Sequence, residues 1–473
     1  MQIYRPLLEP GHKSVIVIGG GFAGLAAARR LATQANLHVT LADQRNHHLF
    51  QPLLYQVATA GLNPADIAVP IRSQFPGKAN VAVHLGRVTR IALAERFVEG
   101  EGVRVGYDFL ILACGAQHNY FGHHAWEEFA PGLKTLEQAT EIRRRILTAF
   151  ELAENEPDPA KQRELLGFVI VGGGPTGVEL AGAIADIART VLVRDFRRIN
   201  SAHARVLLVE AGPRILASFS EDLSRRATAD LGRLGVDVRT GVPVTHVDAG
   251  GIQLGEQRVS ARNVFWAAGV EADAVTRSLG VPLDRAGRVV VTDDLSVPGF
   301  REVFVVGDAA HVEVNGQLVP GLAPAAIQQG KLAAENVIAL AAGRETKPFH
   351  YRDKGTMATI GKHLAIVQIG KLKLTGYVAW VIWLFVHVLS ITGFRNRVAV
   401  FLEWTWSYLF SRRGARLITH PDWRSVQRGA TLPAPALGGD TARNEHSASD
   451  RRGDGATART PLSSGGAAER RPA

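Results

Sequence analysis

Cysteine is almost absent: 473 residues hold one, Cys114. A single thiol excludes an intrachain disulfide, a redox-active cysteine pair and any cysteine-rich zinc or iron–sulfur site. Metal-ligand spacing is missing too. His47 and His48 are adjacent but have no further ligands near them, so no metal site is expected. Met1 to Lys13 is mixed and polar, with no apolar run of the signal-peptide kind, which points to a reducing, cytoplasmic setting. Excess charge is missing from most of the chain. Of the net +10, residues 1–370 carry only +2. Residues 371–428 hold nine bases and two acids, and residues 429–473 add +1. A near-neutral body with one basic segment argues against nucleic-acid binding. That segment interleaves its bases with tryptophan and leucine, which suits a membrane surface with anionic lipids.

Glycine is plentiful, and its placement is informative. Val15 to Ile18 reads as a short buried strand, followed by Gly19, Gly21 and Gly24 in G-x-G-x-x-G spacing. A helical run, Phe22 to Gln34, comes next. This order binds a dinucleotide pyrophosphate. The first glycine makes the tight turn, the second lets backbone approach phosphate, and the third lets helix pack on strand. The helix N-terminus adds free N–H groups for the anion. Asp43 closes the second strand, His38 to Leu41, where an acid reaches a ribose 2′-OH.

The device recurs in FVIVGGGPTG, with Gly172, Gly174 and Gly177 after an apolar strand and Pro175 suited to the first helical turn. Glu210 closes the strand Arg205 to Val209, 36 residues beyond Gly174. That is later than usual, so an extended helix is expected between them. An acid there accepts from a free 2′-OH and repels a 2′-phosphate, favouring NADH over NADPH, although Arg214 lies nearby. The length allows two or three domains, and 46% hydrophobic residues allow a large core. The fold class is α/β, with two Rossmann-like dinucleotide-binding domains.

Other stretches supply candidate site residues. Val81 to Ile91 reads as a strand with a turn, placing Val88 where backbone meets an adenine. Arg45 to Gly61 has no clean period and reads as a loop and helix over the bound nucleotide. Tyr107 to Gly115 is a buried strand ending in small residues, and Cys114 there reads as a core residue. Glu156 to Lys161, with two prolines, reads as a loop near a domain boundary. Glu179 either stabilises its helix N-terminus or faces the gap where a nicotinamide meets a second cofactor. In VFVVGDAA, Gly307 and Asp308 end an apolar strand. Asp308 either caps the next helix or, preferably, accepts hydrogen bonds from a polyol such as a ribityl chain. Gly321 to Gly330 opens a helix through Ala341, with Gln328 and Gln329 near its start.

Leu374 to Thr392 is nineteen residues without formal charge, just long enough to span a bilayer. Bases flank it on both sides, and His387 and Ser390 interrupt it. Val398 to Phe410 follows as an amphipathic segment ending near Arg412, Arg413 and Arg416. A helix pair lying in the membrane plane is favoured over a span or a buried dimer interface. Residues 429–473 lack large apolar residues and are expected to be disordered.

Together these features resemble the type II NADH dehydrogenases, single-chain FAD-containing NADH:quinone oxidoreductases. The specific stretches are NHHLFQPLLYQVATAGL, GGGPTGVELAG, VFVVGDAA and LAPAAIQQG. The resemblance implies FAD on Gly19, Gly21, Gly24 and Asp43, with Asp308 at the ribityl or pyrophosphate region. It implies NADH on Gly172, Gly174, Gly177 and Glu210. Glu179 matches a glutamate between nicotinamide and flavin that is linked to quinone reduction. The family's quinone motif, Ala-Gln-x-Ala-x-Gln, reads here from Ala323 to Gln328, with Pro324 in place of the first glutamine. The implied protein is peripheral on the cytoplasmic face of the cell membrane, docked through residues 374–416, does not pump protons, and has a homodimer as an option. The expected layout is an FAD domain (1–125 and 271–350) around an NADH domain (126–270). A membrane-associating region (351–428) and the tail (429–473) follow. A soluble NADH-dependent reductase of an electron-transfer protein would share both glycine turns without needing the C-terminal segment, and a flavoprotein redox sensor or membrane-docked module would hold NADH without turning it over.

Overall fold

The computed structural model describes residues 3–4, 9–410 and 414–419. The expected disorder of 429–473 and the bases Arg412 and Arg413 lie outside the described residues.

Strand β1 (Lys13–Ile18), helix α1 (Phe22–Leu31) and strand β2 (Leu37–Asp43) form the first unit. Helix α1 stops short of Gln34, and the Asn80 amide takes the carbonyls of Gln34 and Leu37. Helix α2 (Leu54–Ala58) follows, then β3 (Val81–Leu85) and β4 (Phe109–Leu112). Helix α3 (Leu136–Asn155) is capped by Thr135, whose hydroxyl accepts from the Gln138 N–H. The loop expected at 156–161 instead starts helix α4 (Pro159–Leu165). Asp158 caps it and Pro159 takes its first turn, a start signal hidden among loop-like residues.

The second unit runs through β5 (Gly167–Val171), α5 (Pro175–Asp186), β6 (Arg205–Glu210), β7 (Val236–Thr240) and β8 (Asn263–Trp266). No extended helix fills the long spacing before Glu210. Helix α5 ends at Asp186, and a π turn (Ile187–Val191) and irregular chain take up the rest. The chain then returns through β9 (Phe300–Val305) and α6 (Ala323–Ala341).

The first sheet has the parallel order β9-β4-β1-β2-β3, with Ser296–Val297 antiparallel at its edge. The second is parallel, in the order β7-β6-β5-β8. Val15–Ile18 of β1, all of β4 and Val303–Val305 of β9 are buried, as apolar runs in parallel sheets should be. Helices α1 and α6 pack so closely that a Cβ on Gly330 would lie 2.1 Å from the Ala23 carbonyl.

The C-terminal region adds an antiparallel sheet of β10 (Thr356–Gly361), β11 (Leu364–Ile369) and β12 (Leu372–Thr375). Helices α7 (Gly376–Ser390) and α8 (Phe394–Phe410) follow. Among the described residues no helix is long and apolar enough to cross a membrane. The uncharged run begins within β12, leaving α7 only 15 residues, roughly 22 Å of rise against a hydrocarbon core of about 30 Å. Trp383 and Trp404 are buried, with ring centroids 5.3 Å apart. Buried Asn396 donates to the carbonyls of Ala65 and Ala68, tying α8 to the first unit.

Candidate active site

The two glycine turns match atom for atom. Gly19 and Gly172 have φ of +99° and +112°, which disfavour any side chain. A Cβ on Gly24 would lie 1.8 Å from the Gly19 carbonyl, and one on Gly177 would lie 1.9 Å from that of Gly172. Gly21 and Gly174 face open space, leaving room for a ligand against backbone. The acid after each turn is held in the same way. Asp43 accepts from the N–H groups of Gly20 and Arg45, both at 2.6 Å. Glu210 accepts from Gly173 at 2.6 Å and Gly212 at 2.7 Å. Both turns therefore fit a dinucleotide, each with a fixed carboxylate at its strand end. Arg214 does not offset Glu210, since its guanidinium donates to the carbonyls of Leu216, Ala217 and Phe219.

A cavity of about 910 Å³ opens from the first turn toward the second unit. Gly19, Gly21, Asp43, Gly307, Asp308, Thr176 and Glu179 line it. Buried His48 donates from Nδ1 to the Gly20 carbonyl at 2.9 Å and packs edge-on to Phe22, bracing the turn. Asp308 follows β9 in a short 3-10 turn and caps no long helix, because α6 begins only at Ala323. Lys134 reaches Asp308 at 3.9 Å, and burial pulls its ammonium pKa down. Cys114 packs on the core and also lines the cavity. Burial, reinforced by Asp273 and Asp308, drives its thiol pKa far up, so it carries no thiolate at neutral pH. Val88 packs against the core of the first sheet, and its neighbour Arg87 lines the cavity.

Glu179, in the first turns of α5, lines this cavity and also a second, small one of about 70 Å³. The residue is half-buried, and burial pushes its carboxyl pKa up to about 8. A long hydrogen bond from the Thr359 N–H, 3.4 Å, offsets this weakly. Tyr55, Thr359, Trp380 and Trp404 also line the small cavity. A chain of side-chain hydrogen bonds runs along it. The Trp404 Nε1–H donates to Gln56 at 2.7 Å, Gln56 donates to the Tyr55 hydroxyl at 3.0 Å, and that hydroxyl lies 2.9 Å from Thr359 Oγ1. Helix α8 is thereby linked to the strand that touches Glu179. These four residues escaped sequence reasoning. Tyr55 and Thr359 lie 304 positions apart, and no periodicity connects them.

Gln328 lies outside both cavities. Its amide donates to the carbonyls of Pro324 and Arg352 and accepts from the Arg352 N–H. Gln329 lines the large cavity and accepts from the Gly307 N–H at 2.6 Å. Adjacent helical residues diverge by about 100°, so only one of the pair can face the site.

Residues 13–330 match the pyridine nucleotide-disulphide oxidoreductase family, and residues 354–413 match the NDH2 C-terminal domain. The chain is 44% identical to the type II NADH:quinone oxidoreductase Ndh of Mycobacterium tuberculosis, covering 88% of this chain and 92% of that one. It is 42% identical to NdhA of the same organism, covering 88% and 91%. Among solved structures, NDH2 from Plasmodium falciparum in complex with NADH superposes with a TM-score of 0.78. That match has 18% identity and covers 85% of this chain and 99% of that one, a likeness of fold. The chain belongs to the type II NADH:quinone oxidoreductases, FAD-dependent enzymes that carry electrons from NADH to quinone without pumping protons.

Proposed function

We propose that FAD sits on the turn of Gly19, Gly21 and Gly24, with NADH on that of Gly172, Gly174 and Gly177, and that Glu179 handles the proton for quinone reduction. The position of Glu179 carries this reading: one acid that holds its proton at neutral pH stands between the large cleft and a cavity flanked by the C-terminal helices. Bound FAD supplies the redox chemistry, taking hydride from NADH and giving two electrons to quinone. The chain does the rest. Asp43 and Glu210 accept from ribose hydroxyls, and Glu210 repels a 2′-phosphate, so NADH is the donor. Gly307 and Asp308, on the wall of the large cavity, would hold the FAD ribityl region. Protonated Glu179 offers its O–H to the quinone head group, which enters past Trp380 and Trp404. Gln329 and the small residues Ala323, Ala325 and Ala326 form the opposite wall, and Gln328 supports that wall from behind.

The exposed faces of α7 and α8, with Tyr377, Phe385, Leu389, Phe394, Phe401 and Trp406, form an apolar surface. Lys371 precedes these helices, and Arg395 and Arg397 lie in the first turn of α8. We assign this surface to an anionic membrane, with the helices in its plane on the cytoplasmic side, where NADH is available. A homodimer through it would bring like charges together, whereas lipid phosphates satisfy them. The test is NADH oxidation by purified, FAD-loaded protein with ubiquinone and menaquinone analogues, beside NADPH and acceptor-free controls. Fast quinone-dependent turnover that prefers NADH is expected. Flavin reduction without transfer to any quinone would overturn the proposal.

A further inference from the structure

The long connection between α5 and β6 contributes no residue to either cavity beyond Thr190 and Val191 at its start. We infer that it is a second membrane contact, presenting Arg194, Arg197 and Arg198 to the phosphates of anionic lipids beside the α7–α8 surface. This rests on the docking proposed above.

Composition points to an anion. Residues 187–204 hold four arginines and one acid, Asp195. Arg189 turns inward and donates to the carbonyls of Ala204 and Gly235. Asp195 pairs with Arg416 and the Glu154 carboxylate lies by Arg198, so the three exposed arginines, Arg194, Arg197 and Arg198, exceed the acids near them.

The loop is also built to hold them outward. The Glu154 carboxylate accepts from three successive backbone N–H groups, Arg197, Arg198 and Ile199, at 2.9–3.0 Å. Phe196 packs on Phe150, ring centroids 6.0 Å apart, and Ile199 joins the same core. With those two side chains anchored inward, the arginines beside them are exposed, Arg197 with one guanidinium nitrogen turned back to the loop's own carbonyls. Arg197 donates to the Arg194 carbonyl at 3.0 Å, tightening the turn.

Its location completes the case. Thr190 and Val191 share a cavity wall with Lys362, Trp380, Trp404 and Ser407 of the C-terminal region. The Asp195–Arg416 pair ties the loop to the segment just after α8, and Ala415 and Ile418 of that segment pack into the same core. The arginine-bearing loop of the NADH-binding unit is thus fastened to the C-terminal region that carries the apolar surface. Exposed Val193 gives the loop an apolar foothold.

Each arginine near an anionic bilayer should contribute about fivefold in affinity at low salt. The test is flotation of full-length, FAD-loaded protein with phosphatidylcholine vesicles, with or without phosphatidylglycerol. The R194Q/R197Q/R198Q variant alters only exposed side chains, and its flavin content and turnover with a soluble quinone should match the wild type. Its affinity for phosphatidylglycerol vesicles should fall at least tenfold, with binding to pure phosphatidylcholine unchanged. Equal binding of both proteins to phosphatidylglycerol vesicles would overturn the loop contact and leave docking through α7 and α8 standing. Failure of the wild type to bind any vesicle would overturn both.

Discussion

A carboxyl that keeps its proton to about pH 8 can serve as a general acid at cellular pH, the role proposed for Glu179. E179Q keeps the shape and removes the transferable proton. Flavin bleaching by NADH should stay within a few-fold of wild type, while quinone turnover falls roughly 10²–10⁴-fold. Stopped-flow flavin reduction beside steady-state turnover separates the two steps, and an equal loss in both would reject the role. Wild-type quinone turnover should decline as pH rises through about 8, and E179Q should lack that limb. Stability has its own sign. The folded pKa lies above the ordinary 4.5, so between the two values the folded state holds a proton that the unfolded state has lost. The Glu179 contribution to stability is therefore greatest below pH 4.5 and declines up to about pH 8. Melting curves of E179Q across that range should lose this slope. The proposed role of Glu210 in donor choice is tested at the same scale. E210Q removes the charge and keeps one of the two oxygens that accept from the Gly173 and Gly212 N–H groups, so the turn loses one hydrogen bond while the NADPH-to-NADH ratio of kcat/KM should rise about tenfold, or 1.4 kcal/mol. Arg214, already spent on three carbonyls, should not add to it. Acids at strand ends are legible in a sequence because their spacing from the glycines is local. The proton affinity of Glu179 was not, because it depends on Thr359 and on walls formed far along the chain.

Between elements, the contact that sets the Glu179 environment is the crossing of α5 on β10. A Cβ on Gly182 would lie 1.7 Å from the Ile360 carbonyl, next to Thr359. G182A should push β10 away, cost about 1–3 kcal/mol by overpacking, and lengthen the already long Thr359–Glu179 hydrogen bond. A lower melting temperature with a selective loss of quinone turnover is the expected result. Unchanged quinone turnover at full flavin content would show that β10 does not tune the site. The α/β class was readable from period and glycine turns, because β1, β2, α1, β5 and α5 are each specified within about thirty residues. Two features failed to read for definable reasons. Asp158–Pro159 looked like loop chemistry, yet it is also the chemistry of a helix start. Gln328 and Gln329 share composition and neighbourhood, and only the rotation of α6 decides which faces the cavity.

For the molecule as a whole, the division of labour is between a chemistry that needs no membrane and a substrate that is dissolved in one. The exposed Phe385, Leu389, Phe401 and Trp406 are each at least half exposed, and their buried neighbours Trp383 and Trp404 hold the helices in place from within. Replacing those four exposed residues with serine should therefore leave the fold and the cavities intact. Burying half of each large side chain in lipid is worth on the order of 1 kcal/mol, so the four together should weaken vesicle binding by roughly 10²–10³-fold. Turnover with a short-chain, water-soluble quinone should be unchanged. Turnover with a long-chain quinone held in vesicles should collapse in proportion to binding and recover as lipid concentration is raised. A variant that loses vesicle binding but keeps full activity on the lipid-held quinone would place the quinone entrance elsewhere than beside α7 and α8.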